Sequence, residues 1–515
     1  MAEEFSPSNP NRWPITICVM LATLMQSLDT TIANVALPHM QGSLAASQDQ
    51  VDWVLTSYIV AAAIATPLTG FLTGRFGLKR LFLVSVAGFT VASMLCGAAQ
   101  TIGEIVVFRV LQGLFGASLV PLSQTVLLNI NPPERQGSAM AIWGMAVMAA
   151  PVLGPVLGGW LTEDYTWRYV FYINLPIGIL AFAGMSVFLP KPPRRSEARL
   201  DWFGFITLSV AIGALQILLD RGQELDWLSS PEIVIEVIVA SASFYLFLVH
   251  TFTAHDPFVR PALFRDRNFA AGVLFVAIIG LTFYASLALQ PPYLQDLMNY
   301  PVITAGYVMG PRGLGTMGAM VVVGKMIGRV NTRVLLGIGL AASAWSFYAM
   351  TGWTPAVSAT EVIVVGIVQG LGLGFLFTPL SVVTLSTLSP GVRPEGAGFY
   401  NLSRNVGSSI GISIVGSLLA RATQANHADI VRHVTAVNRL FATPAIAHAW
   451  NPTTAAGRAA LDAMITRQAQ VIAYIDDYKF LMIATLAVIP LLVVFKGGSR
   501  ENRASRARQP AVMGE

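Results

Sequence analysis

The sequence predicts an all-α integral membrane protein with about fourteen transmembrane helices. Of the 515 residues, 54% are hydrophobic and 11% are charged, against roughly 25% charged residues in soluble domains. Apolar runs of about 20 residues, the length that crosses a bilayer core, recur along the whole chain. These runs do not alternate between polar and apolar residues, which excludes a transmembrane barrel.

The positions of the runs divide the helices into a first block of six, a central pair and a second block of six. The predicted spans are residues 14–37, 51–73, 81–99, 103–128, 137–161, 168–189, 202–219, 232–253, 268–289, 303–327, 332–353, 360–386, 396–421 and 479–496. Lys and Arg concentrate in alternate connections, and the short connections of the opposite side contain only Arg168 and Arg221. The positive-inside rule therefore predicts that both termini are cytoplasmic.

Internal repeats predict two related six-helix bundles with two inserted helices between them. A pattern of glycines and basic residues at 70–81 recurs 254 positions later, and the tripeptide Gln-Gly-Leu at 112–114 recurs 257 positions later. Parallel repeats of this kind place a substrate site near the bilayer midplane between the bundles. The predicted segments are the cytoplasmic N-terminus 1–13, the N-terminal bundle 14–189, the cytoplasmic linker 190–201, the inserted helices 202–253, the C-terminal bundle 254–496 with a long external loop 422–478, and the cytoplasmic tail 497–515.

Several other classes of function do not fit the sequence. Cys18 and Cys96 lie in separate apolar runs, and the six histidines lack zinc-ligand spacing, so neither a disulfide nor a metal site is expected. The net charge of +5 comes from basic residues in short connections and in the tail, which membrane topology explains without nucleic acid. No phosphate-binding loop of the P-loop form is present, so ATP is not the expected energy source. We expect a protein without cofactors that is not an enzyme.

One acid, Asp29, lies well inside an apolar run, where a charge costs roughly 2.5–3.5 kcal/mol. An unpaired carboxyl in this position should take up and release protons, as a proton carrier must. Arg109 in the fourth run keeps its charge and would favour the ionised acid when the two are close, which could couple proton release to a conformational change. Each residue also has a purely structural alternative. Asp29 could only form hydrogen bonds with the neighbouring helix backbone or the Asn34 amide, and Arg109 could only satisfy backbone carbonyls.

Other polar side chains in the predicted spans are candidates for the wall of a substrate cavity. They are Asn34, Gln112, Arg312, Gln369 and Arg404. The two arginines among them either have a structural role or attract an anionic group of the substrate, and both alternatives stay open.

The fifth run combines small residues with prolines. Gly154 and Gly158 lie four residues apart on one helix face, a pattern that favours close helix packing, and Gly159 follows. Pro151 and Pro155 each remove a backbone donor and invite a bend. This combination predicts a helix that seals or flexes the cavity.

The connection after the second span is a candidate cytoplasmic gate, which we call the 70–80 loop. Its glycines and basic residues are Gly70, Gly74, Arg75, Gly77, Lys79 and Arg80. The cations can bind the carbonyls at helix C-termini or lipid phosphates.

Together these motifs resemble those of the fourteen-helix drug:proton antiporters of the major facilitator superfamily, the EmrB/QacA type. The segment 28–38 resembles the first-helix motif of that family, Arg109 with Gln112 resembles its fourth-helix motif, and 154–159 resembles its antiporter motif. The segment 167–176 is similar to the one that enters its sixth helix. One departure is Gly74, because the superfamily pattern has Asp there, and the usual account of gating does not transfer.

The resemblance implies proton-coupled efflux of small hydrophobic drugs or toxic lipophilic compounds by alternating access. The expected location is the bacterial inner membrane, in contact with lipid. The fifth-span pattern marks exporters, and it disfavours an uptake, metabolite or lipid transporter on the same fold. A proton-pumping subunit of a redox complex would need more intramembrane acids, and a non-transporting receptor or scaffold would show no proton-dependent flux.

The external loop 422–478 is much longer than a typical interhelical connection. Apolar residues at 461, 464, 465, 471, 472 and 475 have near-helical spacing, which predicts an amphipathic helix. This helix either folds back on the outer mouth of the bundle or docks to a periplasmic adaptor protein. The resemblance implies the adaptor, which would hand substrate to an outer-membrane channel.

Overall fold

The structure is a computed structural model, and it describes residues 11–190, 200–434, 450 and 454–495. In this part of the chain the regular structure is helical, apart from one isolated bridge between Ile327 and Val330. The all-α prediction is therefore confirmed. Most of the predicted N-terminus 1–13 and linker 190–201, and the whole tail 497–515, lie outside the described residues.

The N-terminal bundle is built from nine helical segments that cover the first six predicted spans. They are α1 Arg12–Ser43, α2 Gln48–Ala65, α3 Leu68–Phe76, α4 Leu78–Ala98, α5 Ile102–Gly116, α6 Leu119–Ile130, α7 Pro133–Asp164, α8 Tyr169–Tyr172 and α9 Asn174–Phe188. The second span is bent by 59° between α2 and α3, where Pro67 removes a backbone donor.

The inserted pair and the C-terminal bundle follow in the predicted order. The helices are α10 Trp202–Arg221, α11 Pro231–Thr253, α12 Arg267–Pro292, α13 Val302–Met326, α14 Thr332–Met350, α15 Ala359–Leu385, α16 Arg393–His433, α17 Ala455–Leu486 and α18 Leu491–Val494. α12 continues into one turn of π-helix at Tyr293–Leu297.

Each predicted span falls on one or two of these helices. In the described residues, eleven helices are long and apolar enough to cross a membrane, or twelve if the bent α2–α3 pair is one span. Helices α7 and α13 are not in that set. The exact number of fourteen spans and the cytoplasmic position of both termini therefore remain predictions.

The long external loop differs from the prediction at both of its ends. α16 continues without a break to His433, and α17 starts at Ala455 and runs into the last predicted span. The amphipathic helix is present, with Ile465 and Val471 buried and Ile472 exposed, but it is the beginning of the final helix rather than a separate element. Hydrophobicity alone could not show this, because the external part of a long helix carries polar residues. Most of residues 435–453 lies outside the described part.

The two bundles repeat the same helix pairings. In the N-terminal bundle α1 packs on α7 and α2 on α5, and in the C-terminal bundle α12 packs on α16 and α13 on α15. The bundles meet where α7 packs on α13. The inserted helix α10 contacts both α2 and α16 and so lies along one side of the seam between the bundles.

Candidate functional site

Asp29 and Arg109 form a buried ion pair inside the N-terminal bundle. Nη1 of Arg109 on α5 donates to Oδ2 of Asp29 on α1 at 2.6 Å, and neither side chain has exposed surface. The structure thus brings together Asp29 and Arg109, the two candidates for proton coupling in the sequence. In this structure Asp29 is paired, which is the arrangement in which Arg109 favours the ionised acid.

Two amides complete the environment of Asp29. Gln112 on α5 donates to Oδ1 at 2.8 Å, and Asn174, the first residue of α9, donates to the same oxygen at 3.0 Å. Asn174 also donates to Oγ of Ser93 on α4 at 2.9 Å. We call Asp29, Arg109, Gln112 and Asn174 the Asp29 network; it joins three helices of one bundle, and Ser93 connects it to a fourth.

The guanidinium of Arg109 is held by further contacts. Nε donates to the carbonyl oxygen of Val54 on α2 at 2.9 Å, and Nη1 donates to Oε1 of Gln112 at 2.8 Å. The aromatic ring of Tyr58 has its centre 4.3 Å from the guanidinium carbon. A cation held on a ring face and by hydrogen bonds has little freedom to move away from Asp29 without a movement of α2.

All three side chains around Asp29 donate hydrogen bonds to it. Arg109, Gln112 and Asn174 together reach both of its oxygens, and a carboxylate is an acceptor only. This set of donors therefore suits the ionised side chain, whereas a protonated carboxyl would add an O–H donor to the same site.

The C-terminal bundle contains a counterpart of this network with different side chains. Nε2 of Gln369, which lies 257 positions after Gln112, donates to Oγ of Ser286 on α12 at 2.9 Å. Ser286 thus takes the hydrogen bond that Asp29 takes in the N-terminal bundle. The acid has no equivalent at this position.

The cation of the C-terminal bundle comes from a different helix. The carbonyl oxygen of Tyr58 on α2 lies against Gly113, and the carbonyl oxygen of Arg312 on α13 lies against Gly370 in the same way. These are the glycines of the two Gln-Gly-Leu repeats. Arg312 therefore occupies the position of Tyr58, not that of Arg109.

A cavity of about 550 Å³ lies between the two bundles, lined by residues of α1, α7, α12 and α13. This volume is in the range of small-molecule sites. Asn34 and Arg312 of the five candidate cavity residues line it. The other three are buried elsewhere: Gln112 and Gln369 in the two networks just described, and Arg404 over the ring of Phe377. The sequence marks polar residues in spans but not the face on which each lies.

The opposite ends of the cavity-lining helices are in contact and close the predicted cytoplasmic side. A Cβ added to Gly324 on α13 would lie 2.7 Å from Cβ of Ala141 on α7, and Oγ of Ser138 donates to the Gly324 carbonyl at 3.2 Å. Nδ2 of Asn401 on α16 donates to Oε1 of Gln124 on α6 at 2.7 Å. These contacts between the bundles thus lie away from the cavity, toward the other end of α7 and α13.

One basic residue of the 70–80 loop, Lys79, binds within its own bundle. Nζ of Lys79 donates to the carbonyl oxygen of Ser186 in the last turn of α9 at 2.7 Å. Its repeat counterpart Arg333 donates to the carbonyl oxygen of Phe495 after α18 at 2.8 Å. Each cation therefore binds a helix C-terminus, one of the two roles expected from the sequence.

The glycines of the 70–80 loop differ in their surroundings. A Cβ on Gly70 would lie 2.6 Å from Cβ of Glu395 on α16, so Gly70 allows the two bundles to touch. Gly77 has φ of 83°, which favours glycine. Gly74 faces open space. The remaining loop cations, Arg75 and Arg80, are exposed.

The small residues of α7 pack against α1. A Cβ on Gly154 would lie 2.8 Å from Cβ of Thr31, and a Cβ on Gly158 would lie 3.1 Å from Cγ1 of Ile32. Gly159 faces open space. Gly154 and Gly158 thus permit the close helix packing that their spacing on one helix face predicts. The side chains of Pro151 and Pro155 lie outside the described part of the structure.

Sequence reasoning missed three residues near these sites. Asn174 and Tyr58 complete the environment of the ion pair; the only signal for Asn174 was its place in the segment 167–176. Asp477 on α17 is buried, and neither carboxylate oxygen has a hydrogen-bond partner among the described residues. Because Asp477 falls in the predicted external loop 422–478, it is not among the buried acids that the sequence predicts.

Comparisons with known proteins agree with this architecture. The family model described as Major Facilitator Superfamily matches residues 19–412. The multidrug export protein EmrB of Haemophilus influenzae is 36% identical over 82% of this chain and 84% of its own length. The fatty acid resistance protein FarB of Neisseria gonorrhoeae is 36% identical over 82% and 83%.

Solved structures support the fold. The crystal structure of the human organic anion transporter MFSD10 matches with a TM-score of 0.60 at 14% identity, covering 94% of this chain and all of that one. A bacterial homologue of the human lysosomal transporter Spinster, crystallised in an inward-facing conformation, matches with a TM-score of 0.56 at 16% identity, covering 95% and 98%. The chain therefore belongs to the major facilitator superfamily, in the group of the EmrB-like multidrug exporters, and is a multi-pass membrane transporter rather than an enzyme.

Proposed function

We propose that this protein exports hydrophobic drugs or toxic lipophilic compounds across the bacterial inner membrane by proton-coupled alternating access. The names of the relatives support this substrate range, because they include multidrug export and fatty acid resistance proteins. The cavity of about 550 Å³ between the bundles supports a small-molecule substrate.

The observation that carries proton coupling is the Asp29 network. Its three donors suit the ionised acid, and in the proposed cycle a change in the protonation of Asp29 alters the contacts of α1 with α5 and α9. In the proposed cycle, uptake of an external proton by Asp29 loosens the contacts of α1. The loosened state favours closure of the outer side, and return of the ion pair expels the proton to the cytoplasm.

Alternating access is supported by the asymmetry of the contacts between the bundles. The cavity lies beside the first turns of α13, whereas the last turn of the same helix is pressed against α7. A rocking movement of one bundle against the other would exchange the open and closed sides. Because the two bundles repeat the same helix pairings, the two arrangements with open and closed sides exchanged can have similar packing.

The test is transport by the purified protein in proteoliposomes with an imposed pH gradient. Ethidium and a neutral lipophilic dye serve as substrates, and proton movement is followed with an internal pH dye. We expect flux that depends on the gradient and is lost in Asp29→Asn. Asp226→Asn, which changes an exposed acid in the α10–α11 connection, should behave as wild type. Gradient-independent flux in the wild type would refute proton coupling.

We further propose that the external ends of α16 and α17 dock to a periplasmic adaptor protein, which passes substrate to an outer-membrane channel. His427 on α16 and Asp462 on α17 are joined by a hydrogen bond of 3.0 Å, so the two ends form a pair. Val431, Met464 and Ile472 are exposed apolar residues on this pair.

The docking proposal is tested by replacing the exposed residues Val431, Met464 and Ile472 together with Asn. Ile465 and Ala469 are buried in α17 and are kept. We expect normal transport in proteoliposomes and loss of resistance in whole cells. Loss of transport in proteoliposomes, or no adaptor captured by a crosslinker at residue 431 or 464, would contradict docking.

A further inference from the structure

Asp477 on α17 is a buried acid that the proposed cycle does not use. The residue is 1% exposed, and neither carboxylate oxygen has a hydrogen-bond partner among the described residues. None of the seven ion pairs in the described part of the chain includes it. A carboxylate buried without a partner costs far more free energy than a neutral carboxyl, so an acid in this environment keeps its proton. Asp477 therefore contrasts with Asp29, whose donors suit the ionised form.

Four aromatic residues pack together at this level of α17, and we call them the aromatic cluster: Tyr293, Trp353, Tyr474 and Tyr478. The ring centre of Tyr293 lies 5.2 Å from that of Tyr474 and 5.6 Å from that of Trp353. The ring centres of Trp353 and Tyr478 are 5.8 Å apart. The carboxyl of Asp477 lies within electrostatic range of the Tyr474 and Tyr478 phenols. The acid thus adjoins a cluster of neutral rings.

The elements packed against this part of α17 offer no cation to Asp477. The contact between His427 and Asp462 sets the register of α16 against α17, so residues about 405–420 of α16 lie at the level of Asp477. This stretch contains no ionisable residue. The ionisable side chains at the same level on α14 and on the π-helical turn are Tyr348, which is exposed, Tyr293 and Asp296.

The remaining charges near the cluster do not pair with Asp477 either. Asp476 is exposed and forms an ion pair with Lys479 at 3.1 Å. Arg312 on α13 lies within electrostatic range of the Tyr478 phenol, and Glu361 on α15 within that of Tyr293. Both act on the aromatic cluster, and neither forms an ion pair with the acid in the described structure.

The aromatic cluster also contains donors that this arrangement leaves unused. The hydroxyls of Tyr293 and Tyr478 and Nε1 of Trp353 are buried and have no hydrogen-bond partner among the described residues. Buried polar groups without a partner are uncommon, and here three donors adjoin an acid that accepts no hydrogen bond. After a rearrangement of the cluster, these groups would donate to an ionised Asp477. The cluster thus suits a change in the charge of the acid.

The π-helical turn Tyr293–Leu297 connects the aromatic cluster to the cavity between the bundles. Tyr293 packs in the cluster, and Gln295, two residues later, lines the cavity. Such π-helical turns occur frequently at functional sites. A movement of this turn during transport therefore reaches the surroundings of Asp477.

We propose that Asp477 is a second proton-binding site, which holds its proton in this structure and exchanges it once per transport cycle through a rearrangement of the aromatic cluster. The exchange rests on the proposed export function, whereas the bound proton does not. Asp29 and Asp477 together would then move more than one proton for each exported molecule.

Infrared spectroscopy of the purified protein tests for the bound proton. The protein is kept at neutral pH in a detergent without ester groups, so that the carbonyl band of a protonated carboxyl is visible. We expect a band that shifts in heavy water, is lost in Asp477→Asn and is kept in Asp476→Asn, the matched change at the exposed neighbour. The same spectrum in wild type and Asp477→Asn would overturn the site. So would a band that is lost only in Glu236→Gln, since Glu236 also has a buried oxygen without a partner among the described residues.

Thermal unfolding gives a second measurement that does not depend on transport. Asn has the shape of a neutral carboxyl, so Asp477→Asn should unfold at the wild-type temperature. A clear loss of stability, or failure to fold, would mean that the native acid is ionised and held by contacts, and would overturn the proposal.

The exchange is tested in proteoliposomes by counting protons with an internal pH dye and ethidium by its fluorescence. Asp477→Asn should still transport under a pH gradient, because Asp29 is intact, but with fewer protons per ethidium than wild type and Asp476→Asn. An unchanged ratio would overturn the exchange. If wild type showed no gradient-dependent flux while the infrared band remained specific to Asp477, the proposed function would fail and the proton-binding site would stand.

Discussion

Replacement of Asp29 by Asn is expected to damage both the stability and the coupling of this transporter. The substitution keeps the shape of the side chain and removes its charge. It leaves the Arg109 guanidinium buried, with only neutral groups as its remaining contacts: the ring of Tyr58, the carbonyl of Val54 and the side-chain oxygen of Gln112. It also places an amide NH2 group among three donors that previously faced carboxylate oxygens.

The size of the effect follows from the burial of the pair. Removal of one partner from a buried ion pair costs roughly 3–5 kcal/mol, because the other charge stays uncompensated. Asp29 and Arg109 have no exposed side-chain surface, so solvent screening does not reduce this value. The donor conflict with Gln112 or Asn174 adds a cost of about 1–3 kcal/mol, although contributions within one network are not additive.

Thermal unfolding of purified protein in detergent measures the stability term. Asp29→Asn should unfold several degrees below wild type, and the double variant Asp29→Asn/Arg109→Gln should regain part of the loss because it removes the orphan charge. Transport under a pH gradient should be absent in both. A single variant as stable as wild type would refute the reasoning about the pair, and gradient-driven transport by either variant would refute the coupling role.

Three other substitutions test separate contacts. Arg109→Lys keeps the charge but loses the planar fork, so it should retain some transport, whereas Arg109→Ala should retain very little; equal transport by both variants and wild type would exclude the coupling role. Gly154→Val should force α1 and α7 apart and lower the unfolding temperature, whereas Gly159→Val, which faces open space on the same helix, should be tolerated. Gly324→Val should prevent closure of the predicted cytoplasmic side, and Gly318→Val, which meets no atom within 4 Å, is its control. Distances between spin labels on the cytoplasmic ends of the two bundles should increase only in Gly324→Val.

The Asp29 and Arg109 pair could be predicted from the sequence because each residue is rare in its surroundings. An acid and a base within long apolar runs cost so much free energy that each needs a reason to be there. The repeats likewise predicted two related bundles, since glycines at fixed offsets mark the close contacts of each. Gly70 and Gly324 both lie where the bundles touch.

The wall of the cavity could not be predicted in the same way. Gln112 and Asn34 are both polar residues in predicted spans, but one faces the interior of its bundle and the other faces the cavity. The difference depends on how each helix is rotated, which hydrophobicity does not report when both faces are apolar. The burial of Asp477 could not be predicted for a related reason, because α17 continues through the boundary between the predicted external loop and the last predicted span.

Helix α1 links the two sites. Asp29 points into the N-terminal bundle, whereas Thr31, two residues later and so about 200° around the helix, lines the cavity. Thr31 also donates to the carbonyl oxygen of Ala150 on α7 at 3.1 Å, and the first turns of α7 form the closed side of the cavity. In the proposed mechanism, a change in the protonation of Asp29 acts on the face of α1 opposite to the cavity, so substrate and proton influence one another through this helix without contact.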